Sequence, residues 1–541
     1  MALLAGTTRR SWRGDALRGI PLAATAAPVA MAFAQFAGLP AAAGLYALIV
    51  PGILFALFAG AGRLTAAPDA LLVVLVAATL TPLARPGTGE YLRLAAAQAI
   101  VAAGVLALLA LLRANAVANL LPRPALLGVG AAVALDLVVR EIAAMFGIRL
   151  ADTVTDTSTQ SFLQHVAALL TGLPRADAWG LLLAAIALVV LLVGRRILRL
   201  FPWELAVMAA TIAAYEVFGL AGHGVSVVGG APHGVGLAWP AQAAGQWAEV
   251  VPGAVVLALT ALALQLDADP ARAVPSGRHG LVLGVANAAS GLGGGFAIGP
   301  SQVHRRRLDE LGASGQLPTL VAALLVLLTA LLAPDALAAL PTPALGAIAV
   351  VATWPLLRAG EARALWRGAP GEFLFAAACF AAVLALGPLP GLGVAAALSL
   401  LRLLGRASEP PIDVVDADGR PIASLRKGAP PPRTSAPGVV IVRYAARIDS
   451  AGAGALARGI RAAVAAEGQG VTRLVLDCEA VTGIDATGAA VLRDARAWAA
   501  ERGVAVDYSR ARAVLRVELE RHGLLGTSRV FRTNRDALGE V

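Results

Sequence analysis

Two interruptions in an otherwise apolar chain hold the residues best placed to do chemistry. Gly291 to Ser301 reads GLGGGFAIGPS inside a long hydrophobic tract. A glycine run followed by Pro300 cannot hold a continuous helix, because glycine frees the backbone and proline removes an N–H donor. A second interruption lies far upstream at Leu64 to Ala70, LTAAPDA, where Pro68 precedes another apolar segment. In lipid, free backbone polar groups are tolerated only where they line a protected cavity. Paired interruptions in the two halves of a hydrophobic chain point to the binding site of a secondary transporter. The second one carries Asp69, and an acid inside a membrane is costly enough to mark function by default. Two roles are open to it. Beside a bound anion it would have to take a proton, because two negative charges repel, and that would couple transport to protons. Alternatively it is a structural acid at a helix N-terminus, stabilised by the helix dipole.

The elements that must position these residues are membrane helices. The chain has 541 residues, 58% hydrophobic and only 14% charged, against about 25% charged residues in soluble domains. Apolar spans of about 20 residues recur from Leu17 to Leu404. The net charge of +10 does not indicate a nucleic-acid partner, because the arginines cluster beside spans: Arg9, Arg10 and Arg13; Arg195, Arg196 and Arg199; Arg305 to Arg307; Arg402 and Arg406. That is the positive-inside pattern. It puts both the N-terminus and the C-terminal tail in the cytoplasm and implies an even number of spans. The basic start has no long apolar core, so no cleavable signal peptide is expected. Cys379 and Cys478, the two cysteines, are too few for a disulfide framework. No nucleophile–base set, phosphate loop or metal-ligand cluster is visible, so neither an enzyme nor a cofactor is expected.

Four regions follow. Residues 1–16 form a basic cytoplasmic arm, 17–405 the transmembrane domain, 406–437 a Pro-rich linker and 438–541 a separate α/β domain. Expected spans are 17–37, 42–60, 67–84, 92–113, 124–146, 178–194, 203–219, 248–266, 280–292, 299–311, 317–333, 343–358, 371–386 and 390–405. Asp136 and Arg140, spaced i,i+4, are expected to pair on one helix face. In the tail, VVIVRY (439–444), RLVLDC (473–478) and GVAVDYS (503–509) read as strands alternating with helical stretches at Ala451 to Glu467 and Ala486 to Arg502, a helix-on-sheet pattern.

The motifs resemble those of the SulP (sulfate permease) family of anion transporters with a C-terminal STAS domain. Pro28-Val-Ala-Met-Ala-Phe33-Ala is similar to the family's first-span motif P-Q/E-x-x-A-F/Y-A. Gly38-Leu-Pro40-Ala-Ala-Ala-Gly44-Leu-Tyr46 is similar to its G-x-P-P-x-x-G-L-Y. Phe58 to Ala70 resembles F-G-S-S-R-x-L-S-x-G-P-D-A, and Val225 to Gly236 resembles an outer loop. Gly284 to Gly294 is similar to G-L-A-N-L-A-S-G-L-F-G-G. In the tail, Val475-Leu-Asp477 and VTGIDATG (481–488) resemble the STAS core.

The resemblance implies about fourteen helices in two inverted repeats of seven, with half-helices at the third and tenth spans whose N-termini face each other. Two such ends bring N–H donors and positive dipole ends to one point, an anion site that needs no buried arginine. By motif position the substrate would meet Phe33, then Ala67, Pro68, Asp69 and Ala70, and Gly299, Pro300, Ser301 and Gln302. The expected ligands are the N–H groups at Asp69–Ala70 and Ser301–Gln302, assisted by the Ser301 hydroxyl. The expected function is secondary active transport of sulfate, bicarbonate or a dicarboxylate by alternating access, with Asp69 as the proton-coupling candidate, in the inner membrane of a bacterial cell. An uncoupled channel or uniporter is the alternative, because Val29 and Thr260 stand where family members often carry carboxylates. A non-transporting scaffold for the STAS domain is the other. The resemblance also implies a homodimer and a cytoplasmic STAS partner. His304 falls near a substrate-side arginine of some members, but beside Arg305 to Arg307 it is expected in a loop. In the STAS loop Asp485 is followed by Ala486, so the usual phosphoacceptor serine is missing and Thr487 is expected to cap the next helix.

Overall fold

The computed structural model makes helices of most described apolar runs in residues 12–399, carrying even Pro51-Gly52 and Pro252-Gly253 within them. It describes residues 12–58, 64–112, 120–148, 162–229, 247–268, 277–313, 315–425, 434–465 and 470–539. Arg9, Arg10 and His233, the outer-loop motif beyond Gly229, and positions 426–433 lie outside the described residues. The helices are α1 (Trp12–Phe36), α2 (Ala41–Phe58), α3 (Ala70–Leu80), α4 (Gly89–Leu111), α5 (Arg123–Met145), α6 (Phe162–Gly172), α7 (Ala178–Ile197), α8 (Trp203–Val217) and α9 (Trp247–Ala268). They continue as α10 (Gly277–Leu292), α11 (Gln302–Glu310), α12 (Leu317–Leu332), α13 (Pro334–Ala338), α14 (Thr342–Thr353), α15 (Ala359–Gly368), α16 (Pro370–Leu386) and α17 (Pro388–Ser408). Each of the fourteen expected spans overlaps one of them. Among the described residues, seven helices are long and apolar enough to cross a membrane. Leucines and valines of α7 and α17 such as Leu182, Val189, Leu192, Leu401 and Leu403 are exposed, which is the face expected against lipid.

Two of the spans are short for a physical reason. The third and tenth do not begin as helix at 67 and 299. Residues Ala66–Ala67 (β1) and Gly299–Pro300 (β2) are extended, and helix starts only at Ala70 and Gln302. At 1.5 Å per residue, α3 and α11 reach about 16 and about 14 Å, half of a hydrocarbon core of about 30 Å.

Helix contacts separate this region into two bundles. α1, α2, α3, α4, α9, α10 and α12 pack on one another, with α11 against α1. α5, α6, α7, α8, α14 and α16 form the other, and α1 and α3 face it through α14, α8 and α5. Close packing within the first bundle depends on small residues. A Cβ on Gly44 would lie 1.9 Å from the Ala30 carbonyl oxygen, so α1 and α2 meet there only without a side chain.

A boundary between compact units falls between Ser399 and Leu400. The second unit contains β3 (Ile412–Val415), β4 (Pro421–Ser424), β5 (Val439–Tyr444), α18 (Ala453–Ala465), β6 (Arg473–Asp477), α19 (Ala486–Ala500), β7 (Ala505–Ser509), α20 (Ala513–Arg521), β8 (Val530–Phe531) and α21 (Asn534–Gly539). The sheet order is β4-β3-β5-β6-β7-β8; β5 to β8 are parallel, and the β3–β4 hairpin is antiparallel. β5 is buried at five of its six positions, as a strand covered on both faces should be. The stretch 406–437, expected as a linker, is therefore partly structured: 412–415 and 421–424 extend the sheet. Cys379 and Cys478 are both free and buried.

Candidate functional site

The two interruptions meet. β1 and β2 pair antiparallel, Ala66 with Pro300 and Ala67 with Gly299, which brings the starts of α3 and α11 together although 230 or more residues separate them. Glycine at 299 leaves room for Leu72, whose Cδ1 would lie 2.4 Å from a Cβ there and would have to shift. The freed backbone is satisfied by side chains, as a membrane interior demands. Asn287 accepts from the Ile298 N–H at 2.9 Å and donates to the Ile298 and Leu283 carbonyls at 3.0 Å each. The Ser290 hydroxyl donates to the Phe296 carbonyl at 2.6 Å. On the other side Gln316 donates to the Leu64 carbonyl at 2.7 Å.

Ala67, Pro68, Asp69, Ala70, Gly299, Pro300, Ser301 and Gln302 are all buried at this junction. Phe33 is buried in α1, the helix that packs on both α3 and α11. The carboxylate of Asp69 joins the two helix starts. Its Oδ1 accepts from the Leu71 N–H at 3.1 Å, making Asp69 the N-cap of α3, and its Oδ2 accepts from the Gln302 N–H at 3.2 Å. Two of the four expected donors are thus already taken. Gln302 N–H is given to Asp69, and Ser301 N–H is given to the Thr65 carbonyl at 3.0 Å. The chain itself has placed a carboxylate on the two positive helix ends.

Ser301 is the N-cap of α11 by backbone position, yet it makes no side-chain cap bond. Its hydroxyl lies 2.8 Å from His304 Nδ1. His304 is not a loop residue: it is 2% exposed, on the first turn of α11. The arginine run beside it suggested a loop, but Arg305 to Arg307 are helical, and Arg307 turns inward to Glu204 at 3.7 Å.

Other candidates resolve into packing. Asp136 pairs with Arg140 at 3.1 Å and also with His165 of α6 at 2.6 Å. The Thr260 hydroxyl donates to its own helix at the Val256 carbonyl, 2.7 Å away. Asp267 binds Arg123 at 3.1 Å and Arg358 at 3.0 Å. Among the described residues no group of three or more His, Cys, Asp or Glu side chains could hold a metal.

In the second unit Asp485, not Thr487, caps α19: its Oδ1 accepts from the Gly488 N–H at 2.7 Å, and Thr487 is exposed. Asp477, named above only as part of the STAS motif, stands at the end of β6 with a role the motif does not announce. It accepts from Arg443 Nε at 2.9 Å, from Arg510 Nε at 3.0 Å and from the Glu479 N–H at 3.2 Å. Burial alone would raise this carboxyl, but the hydrogen bonds from Arg510 and Arg443 outweigh it and hold Asp477 below the usual carboxylate range.

The sequence profile of the sulfate permease family matches residues 12–379. The chain belongs to the sulfate permease family. The STAS domain profile matches residues 431–537. A Mycobacterium tuberculosis (strain CDC 1551 / Oshkosh) protein named "probable sulfate transporter" is 32% identical over 97% of this chain and 94% of its own length. The human solute carrier family 26 member 6 is 26% identical over 75% of this chain and 57% of its own. Among solved structures, a murine solute carrier 26 family anion transporter in the inward-facing state superposes with a TM-score of 0.83, at 21% identity, over 98% of this chain and 91% of that one. The transmembrane domain of a cyanobacterial bicarbonate transporter gives 0.57, at 21% identity, over 72% and 99%. The protein is therefore a membrane transporter of this family rather than an enzyme, a helical membrane domain followed by a STAS domain.

Proposed function

We propose that this permease carries a small oxyanion, with sulfate first and bicarbonate or a dicarboxylate next, through a site between the starts of α3 and α11. The observation that supports it most is the Asp69 carboxylate bound to both helix ends, since a group that holds one oxyanion can hold another. In this reading Asp69 keeps the donors aligned while the site is empty. A substrate displaces it from the Gln302 N–H and takes that donor together with the Ser301 hydroxyl. This favours the structural role for Asp69 over the proton-carrying one, because both of its oxygens are spent on backbone N–H groups. The relatives named as sulfate transporters support sulfate as the first candidate.

Alternating access follows from the two bundles. The site lies wholly in the first bundle, and rocking that bundle against the second would expose it to each side in turn. We place the protein in a bacterial inner membrane with both ends cytoplasmic, as the arginine distribution asks, and as a homodimer through its STAS domains. The second reading is uncoupled flux. Val29 and Thr260 supply no carboxylate for a coupling ion, and the Thr260 hydroxyl is used within its own helix.

Uptake of labelled sulfate, bicarbonate and fumarate into proteoliposomes tests both readings. Concentrative uptake of one anion under an inward proton gradient is the expected result. Flux that only equilibrates would select the uncoupled reading, and no flux of any of the three would overturn transport of these anions.

A further inference from the structure

The Ser301 hydroxyl has one proton, and its neighbour His304 decides where that proton points. Both side chains are buried, and Ser301 Oγ sits 2.8 Å from His304 Nδ1. A neutral ring with its lone pair on Nδ1 accepts the serine proton, and the hydroxyl then has only lone pairs left for the junction, which repel an anion. A ring protonated at both nitrogens has no such lone pair. Nδ1–H must then donate to Ser301 Oγ, and the serine proton is released to donate elsewhere. The same event adds a positive charge directly behind the hydroxyl.

His304 Nε2 supplies the second observation. It is buried and has no hydrogen-bond partner among the described residues. A buried polar atom left in that state costs about 1–3 kcal/mol, so it calls for an explanation. His304 borders a small cleft lined also by Leu22 and Ala26 of α1, Leu48 of α2, and the hydroxyls of Thr65 and Thr319, which lie 3.3 Å apart. The cleft has room for about one water molecule, enough to pass a proton to the ring. Its walls from α1, α2 and α12 carry no titratable group. Asp69 is joined to Gln302, two residues from His304; Arg305 to Arg307 follow on its own helix, with Glu204 of α8 against Arg307.

We propose that His304 is a positioning residue that couples one proton to each anion: a proton taken from the cleft side turns Ser301 into a donor for the substrate and leaves again when the anion does. This rests on the oxyanion reading above and supplies it with a coupling group that is neither Asp69 nor a membrane carboxylate at position 29 or 260.

The test uses the full-length chain in proteoliposomes with labelled sulfate. The wild type is expected to concentrate sulfate under an inward proton gradient and to bind it about tenfold more weakly as pH rises, the usual scale of coupling between linked sites. His304→Gln keeps a hydrogen-bonding side chain but does not titrate. It is expected to fold, to equilibrate sulfate without concentrating it, and to lose the pH slope of binding. Ser301→Ala, which leaves His304 in place, should flatten the same slope and so covers the case in which His304→Gln fails to fold. Gradient-driven accumulation with an unchanged slope in either folded variant overturns the coupling. A wild type that transports sulfate without regard to the gradient overturns it too, while leaving the transport reading intact. A wild type that moves none of the three anions overturns the transport reading instead.

Discussion

At the scale of single residues, Asp69 carries the most weight. An N-cap contributes about 1 kcal/mol, and a hydrogen bond to a charged group about 1.5–3 kcal/mol; Asp69 makes one bond to each half-helix. Asp69→Asn can still cap α3 through its amide oxygen, but it then turns an NH2 group toward the Gln302 N–H, and two donors cannot pair. The expected result is a thermal melt lowered by the equivalent of about 2 kcal/mol, with sulfate binding weakened by about tenfold; wild-type stability and affinity in the variant would remove Asp69 from the junction. That an acid here mattered was legible, because an intramembrane carboxylate is rare and expensive. What it touches was not, since Gln302 lies 233 positions away and no local pattern links the two. His304 was misread for a related reason. A run of three arginines reads as a solvated loop, and only the fold turns Arg307 and His304 inward.

At the scale of elements, the interruption after α10 is held by Asn287, whose side chain makes three backbone hydrogen bonds. Asn287→Leu keeps the volume and strands the Ile298 N–H and C=O in a dry interior. On the order of 3 kcal/mol of stability should be lost, read as a lower melting temperature in detergent together with lost uptake. A variant that melts and transports like the wild type would mean the break holds itself. The glycine–proline tract announced this break in the sequence because it is a local signal. The strands β3 and β4 gave no such signal. Each is four residues long, too short for a periodic pattern, and the hairpin turn at Gly419, with φ +79°, sits among prolines and charges that resemble a linker.

The STAS sheet carries its own prediction. The Asp477 carboxyl is held below its ordinary value of about 3.9. A depressed group contributes stability that is fully present above its unfolded value and is lost as pH falls through its folded value. Melting of the full chain, followed by the β-sheet infrared band between pH 7 and pH 3, should therefore show an acid-side loss that Asp477→Asn abolishes. At neutral pH the variant should already be weaker, by on the order of 3 kcal/mol, because two arginines lose their shared partner. An acid limb unchanged in the variant would assign that limb to other carboxylates.

At the scale of the whole transport domain, charges bridge the two bundles. Glu204 of α8 takes a hydrogen bond from Thr25 of α1 at 3.0 Å and faces Arg307 of α11, while also pairing with Arg195 of its own bundle. Asp267 of α9 takes Arg123 of α5 and Arg358, which follows α14. If the bundles rock, these contacts must break and reform in each cycle. Asp267→Asn is expected to change the rate of sulfate exchange several-fold while leaving binding at the junction within about twofold, since the site is built from the first bundle alone. Equal loss of both would mean that Asp267 supports the fold rather than the motion. Composition and apolar length revealed the membrane domain; which helices form a bundle follows from contacts between distant segments, and those were not legible.

The central claim is that an oxyanion occupies the junction of α3 and α11 by displacing Asp69. The most direct measurement is the anomalous scattering of selenate, a sulfate mimic, in crystals of the full-length protein. The account predicts a selenium peak within hydrogen-bond reach of the Gln302 N–H and Ser301 Oγ, with the Asp69 carboxylate withdrawn from Gln302. A selenium peak elsewhere, with Asp69 still bridging both helix starts, would contradict it.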